Sequence, residues 1–318
     1  MDTQQILRCI NERLAHVCDG RQPAGLYDPI RYVLSTGGKR LRPTLMMLAY
    51  GMYKDDPESI VTIACGIETY HNYTLLHDDL MDKASMRRGH ATVHERWDDN
   101  TAILSGDTMM VMAYEMMQTR SEVMPLFTRT ALEIGEGQRY DMDFERRNDV
   151  SEDEYIEMIR LKTAVLPACS LKTGAMLAGA PDADADALYA FGEKIGLAFQ
   201  LQDDYLDVYG DPEVFGKNIG GDILSNKKTY MLINAMNAAQ GAVHDELMMW
   251  INAPHFDEHE KIAAVTGIYN KTGIGRMALD KVDAYFDESR KYMDMLSVSD
   301  ERKQALIAYT DAMMRREK

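Results

Sequence analysis

The chain has 318 residues, 46% of them hydrophobic, and a mean hydropathy of -0.34, which indicates a soluble globular protein. No apolar run approaches the roughly 18 residues of a transmembrane helix, and residues 1–20 lack the order of a signal peptide. We therefore expect a cytoplasmic protein without stable membrane insertion. The formal net charge of -16 argues against nucleic acid or an anionic membrane as the main partner. An anionic small substrate can still bind where cations cluster.

The four cysteines show no CxxC spacing, which argues against a disulfide framework or a zinc site and predicts ordinary buried thiols. They are Cys9, Cys18, Cys65 and Cys169.

Helical periodicity recurs along the chain and strand signals hardly appear, so we predict an all-α protein. The predicted helices include residues 6–17, 27–36, 101–118, 125–144 and 184–209. The second of these is followed by the stretch GGKRLRP, in which Lys39, Arg40 and Arg42 precede Pro43. Glycines and cations at a helix N-terminus can form an anion-binding site, although a solvated basic loop would have the same composition.

The helix that begins near Pro57 contains three aspartates in the order DDLMD, followed by RRG. Asp78 and Asp82 lie one turn apart, where like charges repel, and a hard divalent cation would neutralise them together with Asp79. Adjacent guanidinium groups at Arg87 and Arg88 indicate a bound phosphate.

Two histidines lie upstream of these aspartates on the same predicted helix. His71 lies seven residues before Asp78, on nearly the same face, which favours a functional role. His77 is not aligned with the carboxylates, and we interpret it as structural.

The middle of the chain contains core and capping signals. Five methionines in residues 101–118 are interpreted as core filling without a cofactor role. Ser151 and Glu154 form a predicted capping box, and Pro167 predicts a kink in the helix that follows. Periodicity does not choose between two Lys-Thr pairs, Lys162-Thr163 and Lys172-Thr173.

A second DDxxD cluster follows 125 residues after the first, formed by Asp203, Asp204 and Asp207. No linker separates the clusters, so we expect one domain over residues 1–318 in which they face each other. The next loop, FGKNIGGDILSNKKTY, has glycines and lysines but no P-loop pattern. The chain ends on AMMRREK, which is either a frayed basic tail or a lid.

Two carboxylate clusters, several cations and no nucleotide motif predict a diphosphate bound through magnesium ions. Departure of that diphosphate would leave a carbocation, and apolar helix walls would keep water away from it. No candidate nucleophile is apparent, so we expect no covalent enzyme intermediate.

The ordered motifs GGKRLRP, LLHDDLMDKASMRRG, the first KT, FQLQDDYLD, GKNIGGD and KKTY resemble those of the trans-isoprenyl diphosphate synthases, the polyprenyl synthetase family. The resemblance covers most of the chain. It implies a single all-α helical bundle around a deep central cavity, a homodimer, and three Mg²⁺ ions with substrate bound. It also implies 1'-4 head-to-tail condensation of isopentenyl diphosphate with an allylic diphosphate.

The resemblance assigns roles to individual residues. The metal ligands would be Asp78, Asp82 and Asp203, supported by Asp79, Asp204 and Asp207. The allylic diphosphate would be held by Arg87, Lys162, Thr163, Gln200 and Lys217. Isopentenyl diphosphate would be held by Lys39, Arg42, His71 and Arg88. The catalytic residues would be Asp78, Asp82, Arg87, Lys162, Asp203 and Lys217. Gln138 and Asp141 match supporting positions, Arg316 matches a basic residue that helps close the isopentenyl site, and Lys172-Thr173 would be structural.

Within this family, product length depends on bulk below the first aspartates. Tyr73 would be the floor, about 7.5 Å along the helix from Asp78, with small Thr74 beside it and Tyr70 deeper. We expect a C15 to C20 product and favour geranylgeranyl over farnesyl diphosphate.

The alternatives are a longer-chain polyprenyl diphosphate synthase, a terpene cyclase and a non-catalytic subunit. Met231 departs from the family pattern, where proline often follows KKTY, but lies at no proposed ligand.

Overall fold

The computed structural model describes residues 1–211 and 219–314, and nearly all regular structure in these ranges is helical. The prediction of an all-α fold is confirmed. The helices of the first half are α1 (Thr3–Ala15), α2 (Ala24–Ser35), α3 (Leu41–Gly51), α4 (Val61–Met81), α5 (Val93–Arg96), α6 (Asp99–Met117), α7 (Met124–Phe144) and α8 (Glu152–Ile159). Those of the second half are α9 (Val165–Ala178), α10 (Asp182–Tyr209), α11 (Gly221–Leu224), α12 (Tyr230–Ala238), α13 (Ala242–Asn252), α14 (Glu258–Thr272), α15 (Ile274–Asp294) and α16 (Asp300–Met314). Short 3₁₀ helices span Pro57–Ile60 and Ser121–Val123.

A small antiparallel hairpin follows α4 and was not predicted. It pairs β1 (Met86–Arg87) with β2 (His90–Ala91). The turn residues Arg88 and Gly89 have positive φ of 53° and 76°, as tight hairpin turns require. Strands of two residues are too short to show an alternating pattern, so they could not be predicted from the sequence.

The chain divides into two compact units. Unit 1 contains Met1–Arg129, Cys169–Tyr189 and Leu296–Tyr309, and unit 2 contains Thr130–Ala168, Ala190–Met295 and the residues from Thr310 onward. The single domain over residues 1–318 stays a prediction.

Methionines of α6 help to fill the core of unit 1, as predicted. Met109, Met112, Met116 and Met117 are buried, while Met110 is half-buried. In unit 2 a separate apolar cluster contains Tyr155, Leu201, Tyr230, Ile233 and Tyr269. Cys18, Cys65 and Cys169 are buried, as predicted, whereas Cys9 is half-buried.

The capping box before α8 is present as predicted. Glu154 N–H donates to Ser151 Oγ at 3.2 Å, and Ser151 N–H donates to Glu154 Oε2 at 2.9 Å. Within the described ranges, no helix is both long enough and apolar enough to cross a membrane.

Between α8 and α9 the chain forms a π-helical turn, Arg160–Ala164. Its closing hydrogen bond runs from Val165 N–H to Arg160 O, five residues back. The irregularity expected from Pro167 therefore lies just before the proline. Proline has no N–H to donate to Thr163 O, and its ring crowds that carbonyl, so a wider turn here relieves both problems.

Candidate functional site

The first acidic cluster lies at the C-terminal end of α4 in unit 1. Asp82 N–H donates to Asp78 O at 2.9 Å, so these two residues are one helical turn apart, as predicted. Asp78 is half-buried and Asp82 is exposed, whereas Asp79 is buried. The helix therefore presents two of the three carboxylates toward solvent and turns the third inward.

Arg87, on β1, contacts this cluster. Its Nε donates to Asp79 Oδ1 at 2.7 Å, and its Nη2 lies 3.6 Å from Asp78 Oδ2. Burial raises the pKa of Asp79 to about 6, although the Arg87 charge and hydrogen bond oppose the shift. The Asp79 carboxylate thus orients the guanidinium group of Arg87 beside Asp78.

Arg88, in the hairpin turn, packs on the glycine pair that precedes α3. Its guanidinium donates to Gly37 O, and its Nη1 lies 3.5 Å from Asn72 Oδ1. A Cβ on Gly38 would lie 2.7 Å from Arg88 Cζ, and the φ of Gly38 is 124°. Only glycine lets this guanidinium pack so closely against the backbone.

Arg42 and His71 form a direct pair. Arg42 Nη1 lies 3.0 Å from His71 Nε2, and because arginine can only donate, His71 accepts at Nε2 and carries its proton on Nδ1. Burial, followed by the charges of Arg42 and Arg88, lowers the pKa of His71 well below its usual value. His71 is therefore neutral at physiological pH, and its acceptor nitrogen fixes the Arg42 side chain. Burial also lowers the pKa of Arg42 to about 10, which leaves it protonated.

The basic segment before α3 splits into two groups in the structure. Lys39 is exposed, whereas Arg40 is only 4% exposed and adopts a left-handed backbone with φ of 48°. Arg40 Nη1 donates to buried Glu68 Oε1 at 2.9 Å, and its Nη2 donates to Leu34 O at 2.6 Å. Glu68 Oε1 also accepts from Asn72 Nδ2 at 3.1 Å. Arg40 is thus a buried structural cation next to exposed Lys39.

An aromatic cluster lies further back along α4. Tyr70 contacts Tyr73 and Phe127 with ring centroids 5.3 Å away in both cases, and Tyr114 contacts Phe127 at 4.9 Å. Phe127 is fully buried and Tyr73 is half-buried. Thr74 donates its hydroxyl to His71 O at 2.8 Å. Tyr114 and Phe127 come from α6 and α7 and were missed, because sequence spacing within α4 cannot reveal neighbours from other helices.

The ring of His77 packs on α6, as a structural histidine would. A Cβ on Gly106 would lie 2.2 Å from His77 Nε2, and this nitrogen is 3.3 Å from Ile103 O.

The second acidic cluster lies near the end of α10 in unit 2. Asp204 is 3% exposed and accepts hydrogen bonds from the Tyr155 hydroxyl, from Gln200 Nε2 at 3.1 Å and from Tyr230 N–H at 3.4 Å. Burial is the main cause that raises its pKa.

Asp203 and Asp207 are half-buried, and Asp207 Oδ2 accepts from Asp222 N–H at 3.0 Å.

The first Lys-Thr pair lies in the π turn and contacts residues of two other helices of unit 2. Lys162 Nζ donates to Asp141 Oδ2 at 2.5 Å, and Thr163 Oγ1 donates to Gln200 Oε1 at 3.2 Å. Burial would raise the pKa of Asp141, but the charges of Lys162 and Lys227 outweigh it, and the pKa is lowered. Gln138, on α7, is half-buried.

The second Lys-Thr pair differs clearly from the first. Lys172 pairs with Asp186, and Thr173 is fully buried. These contacts fit the structural role expected for this pair.

Lys227 is a candidate site residue that the sequence indicated only as one of the lysines of a glycine-rich loop that can close over phosphate. Its charge helps to lower the pKa of Asp141 and opposes the rise that burial causes in the pKa of Asp204, so Lys227 lies within electrostatic range of the second cluster. The signal that could have identified it is the first lysine of KKTY. Lys217 and Arg316 lie outside the described residues.

The carboxylates of the first acidic cluster suit a hard cation that binds together with substrate. Among residues 1–211 and 219–314, no group of three His, Cys, Asp or Glu side chains is gathered closely enough to hold a metal ion. Mg²⁺ needs no such cage, because it commonly uses one or two carboxylates plus phosphate oxygens and water. Asp78 and Asp82, one turn apart toward solvent, fit that requirement.

A sequence profile described as Polyprenyl synthetase matches residues 23–269. The chain belongs to the polyprenyl synthetase family. Among its relatives is a geranylgeranyl diphosphate synthase of Methanosarcina mazei, 36% identical over 93% of this chain and 91% of the relative. A short chain isoprenyl diphosphate synthase of Methanothermobacter thermautotrophicus is 33% identical over 100% of this chain and 99% of its own length. A crystal structure of a geranylgeranyl pyrophosphate synthase matches with a TM-score of 0.94 and 41% identity over 100% of both chains. The predicted family membership is confirmed.

Proposed function

We propose that this polyprenyl synthetase, a short-chain prenyltransferase, joins isopentenyl diphosphate head-to-tail to an allylic diphosphate and releases diphosphate. The observation that carries the proposal is the end of α4. There, Asp78 and Asp82 lie one turn apart, and Arg87 is held beside them by buried Asp79. Carboxylates for metal and a guanidinium for phosphate are thus presented side by side, as a diphosphate leaving group requires.

Isopentenyl diphosphate would bind to the cations near α3 and the hairpin. Arg42 is fixed by neutral His71, and Arg88 is fixed by Gly37 and Asn72, so both guanidinium groups are oriented before substrate arrives. Exposed Lys39 would add a third positive charge. Such preorganisation lowers the entropy cost of binding a phosphate group.

The allylic diphosphate would be held by Arg87, Lys162, Thr163, Gln200 and Lys217, and we add Lys227 to this set. Lys162 is anchored by Asp141, and Thr163 is anchored by Gln200, so the cation and the hydroxyl have defined positions. Positive charge around the leaving group stabilises the negative charge that develops on its oxygens.

Asp78, Asp82 and Asp203 are proposed as the main Mg²⁺ ligands, with Asp207 in support. Mg²⁺, when bound, acts as a Lewis acid on the diphosphate oxygens. Asp79 accepts a hydrogen bond from Arg87 and would orient its guanidinium group. Asp204 accepts hydrogen bonds from Tyr155 and Gln200 and would orient these two side chains. The number of three ions stays a prediction.

The chemical steps balance without a covalent enzyme intermediate. The bond between C1 of the allylic substrate and its diphosphate oxygen breaks, and both electrons leave with the oxygen. The double bond of isopentenyl diphosphate attacks C1 through its C4 carbon, and a proton is then lost from C2, with the departing diphosphate as the proposed base. The product carries the diphosphate of the isopentenyl unit and is five carbons longer than the allylic substrate.

A C15 to C20 product, with geranylgeranyl favoured over farnesyl diphosphate, is supported by two observations. Relatives over nearly the whole chain are named for geranylgeranyl and for short chain isoprenyl diphosphate synthesis. Tyr73 packs on Tyr70, whose ring contacts Phe127, so the proposed floor is supported from behind by buried aromatic rings.

A homodimer is supported by apolar side chains on the surface of α6. Leu104 and Val111 lie two turns apart on this helix and are 60% and 63% exposed. Mass measurement in solution tests the dimer, and a monomer at micromolar concentration would contradict it. The cytoplasmic location stays a prediction.

The proposed reaction is tested by incubating the protein and Mg²⁺ with isopentenyl diphosphate and a series of allylic primers. Mass analysis should show linear diphosphates that end at C15 or C20. Longer linear products would favour the longer-chain alternative. A cyclic hydrocarbon from an allylic diphosphate alone would favour a terpene cyclase, and no product with any primer would favour a non-catalytic subunit.

A further inference from the structure

The π turn that contains Lys162 and Thr163 is contacted by glycines from two different helices of unit 2. A Cβ on Gly137, in α7, would lie 2.3 Å from Lys162 N and 2.8 Å from Leu161 C. A Cβ on Gly196, in α10, would lie 2.6 Å from Ala164 Cα. Nonbonded carbon atoms prefer separations of about 3.5–4.0 Å, so neither position has room for a side chain.

The atoms that these glycines approach belong largely to the backbone of the turn, and at Gly137 the three nearest atoms all do. A flexible side chain could rotate away from an added methyl group, but a helical backbone can only move as a body. Any larger residue at Gly137 therefore displaces the segment that carries Lys162.

The side chains of the turn depend on this placement. Lys162 Nζ is 2.5 Å from Asp141 Oδ2, and Asp141 lies one turn after Gly137 on the same helix. Thr163 Oγ1 is 3.2 Å from Gln200 Oε1, and Gln200 lies one turn after Gly196 on α10. Each glycine thus sets the approach of the turn to the helix that supplies the hydrogen-bond partner.

We propose that Gly137 and Gly196 are positioning residues for prenyl transfer, which set Lys162 and Thr163 by admitting the π turn against α7 and α10. Neither glycine touches a reacting atom. The inference rests on the proposed function, in which Lys162 and Thr163 hold the allylic diphosphate. Lys162 and Thr163 can lie in a π turn because the two glycines leave room for its backbone.

The test compares Gly137→Ala with Gly135→Ala, a control on the same helix where an added Cβ would meet nothing within 4 Å. Condensation by the wild-type protein is measured first, so that failure of the proposed function is recognised separately. Each variant is then assayed at least about ten degrees below its own melting temperature, with both substrates varied; a shift of the turn by about 1 Å can cost about 10²-fold in rate.

We expect Gly137→Ala to lower kcat by about 10- to 100-fold and to raise the KM for the allylic substrate. The KM for isopentenyl diphosphate should change less than about two-fold, because its proposed ligands are in unit 1. Gly135→Ala should match the wild type in all three constants, and Gly196→Ala should repeat the pattern of Gly137→Ala.

A double substitution separates positioning from general damage. If Gly137 acts through Lys162, then Gly137→Ala should lower kcat little further once Lys162→Met is present. Equal losses in both backgrounds would overturn the proposal, as would wild-type constants for Gly137→Ala. If neither glycine variant shows a cooperative unfolding transition at any temperature, the glycines are required for folding and the positioning role is also overturned.

Discussion

Glu68→Gln probes the buried ion pair that lies behind the proposed isopentenyl site. Arg40 and Glu68 are 4% and 2% exposed, and Arg40 Nη1 donates to Glu68 Oε1 at 2.9 Å. Glutamine has nearly the same shape and keeps an acceptor for Arg40, so the substitution removes little besides the negative charge. A buried charge left without its partner costs about 3–5 kcal/mol of unfolding free energy.

This loss corresponds to a large shift in thermal stability. At about 2–4 °C per kcal/mol for large domains, the melting temperature should fall by about 6–20 °C. The measurement is thermal unfolding followed by circular dichroism, without substrates, at one scan rate for all variants. The control is Asp280→Asn, in the exposed pair of Arg276 and Asp280 at 2.7 Å, which should change the unfolding free energy by less than about 0.5 kcal/mol.

A second substitution shows whether the charge itself is responsible. Arg40→Met should destabilise the wild type, because it leaves Glu68 buried and unpaired, but should destabilise Glu68→Gln much less or even stabilise it. Equal effects of Arg40→Met in the two backgrounds would refute the argument from charge pairing. So would a melting temperature of Glu68→Gln equal to that of the Asp280→Asn control.

Further predictions concern the site and the product. Asp78→Asn should lower kcat by about 10²-fold or more with little change in melting temperature, and wild-type turnover of labelled isopentenyl diphosphate would contradict a role as metal ligand. Removal of divalent cations with EDTA should abolish turnover and added Mg²⁺ should restore it, whereas turnover that resists chelation would disprove the metal requirement. Tyr73→Ala should lengthen the product seen by mass spectrometry, and so should Phe127→Ala, because its ring supports Tyr70 from behind. If neither variant changes product length, the aromatic cluster is not the floor.

The helical period explains which part of the acidic site could be predicted. Asp78 and Asp82 lie one turn apart in α4, as their spacing indicated. Asp79 is rotated by about 100° from Asp78, which turns it toward the interior and toward Arg87. Asp204 is likewise withdrawn, but its partner Tyr155 is 49 residues away in the chain. Identical residue types in one motif therefore differ in role because of contacts that spacing alone does not contain.

Backbone conformation accounts for other features that the sequence left open. The glycines and three cations of GGKRLRP indicated an anion site or a solvated basic loop, yet Arg40 adopts a left-handed conformation, turns inward and donates to Glu68 and Leu34. Pro167 predicted a kink, and the structure has a π turn next to it. The π turn lies before the proline, where Gly137 and Gly196 admit it, and both are distant in sequence.

The neutral state of His71 gives stability a pH dependence whose sign can be worked out. A histidine with a lowered pKa in the folded protein binds fewer protons there than in the unfolded chain. The contribution of His71 to the free energy of unfolding is therefore favourable above its unfolded pKa of about 6.5. As the pH falls below this value, the contribution is lost by up to about 1.4 kcal/mol per pH unit. His71→Gln lacks this titration. As the pH is lowered from 7.5 to 5.5, its melting temperature should therefore fall less than that of the wild type. Arg42→Met removes the largest of the charges that lower this pKa and should weaken the pH dependence, whereas a constant difference between His71→Gln and wild type at every pH would show that His71 is not held neutral.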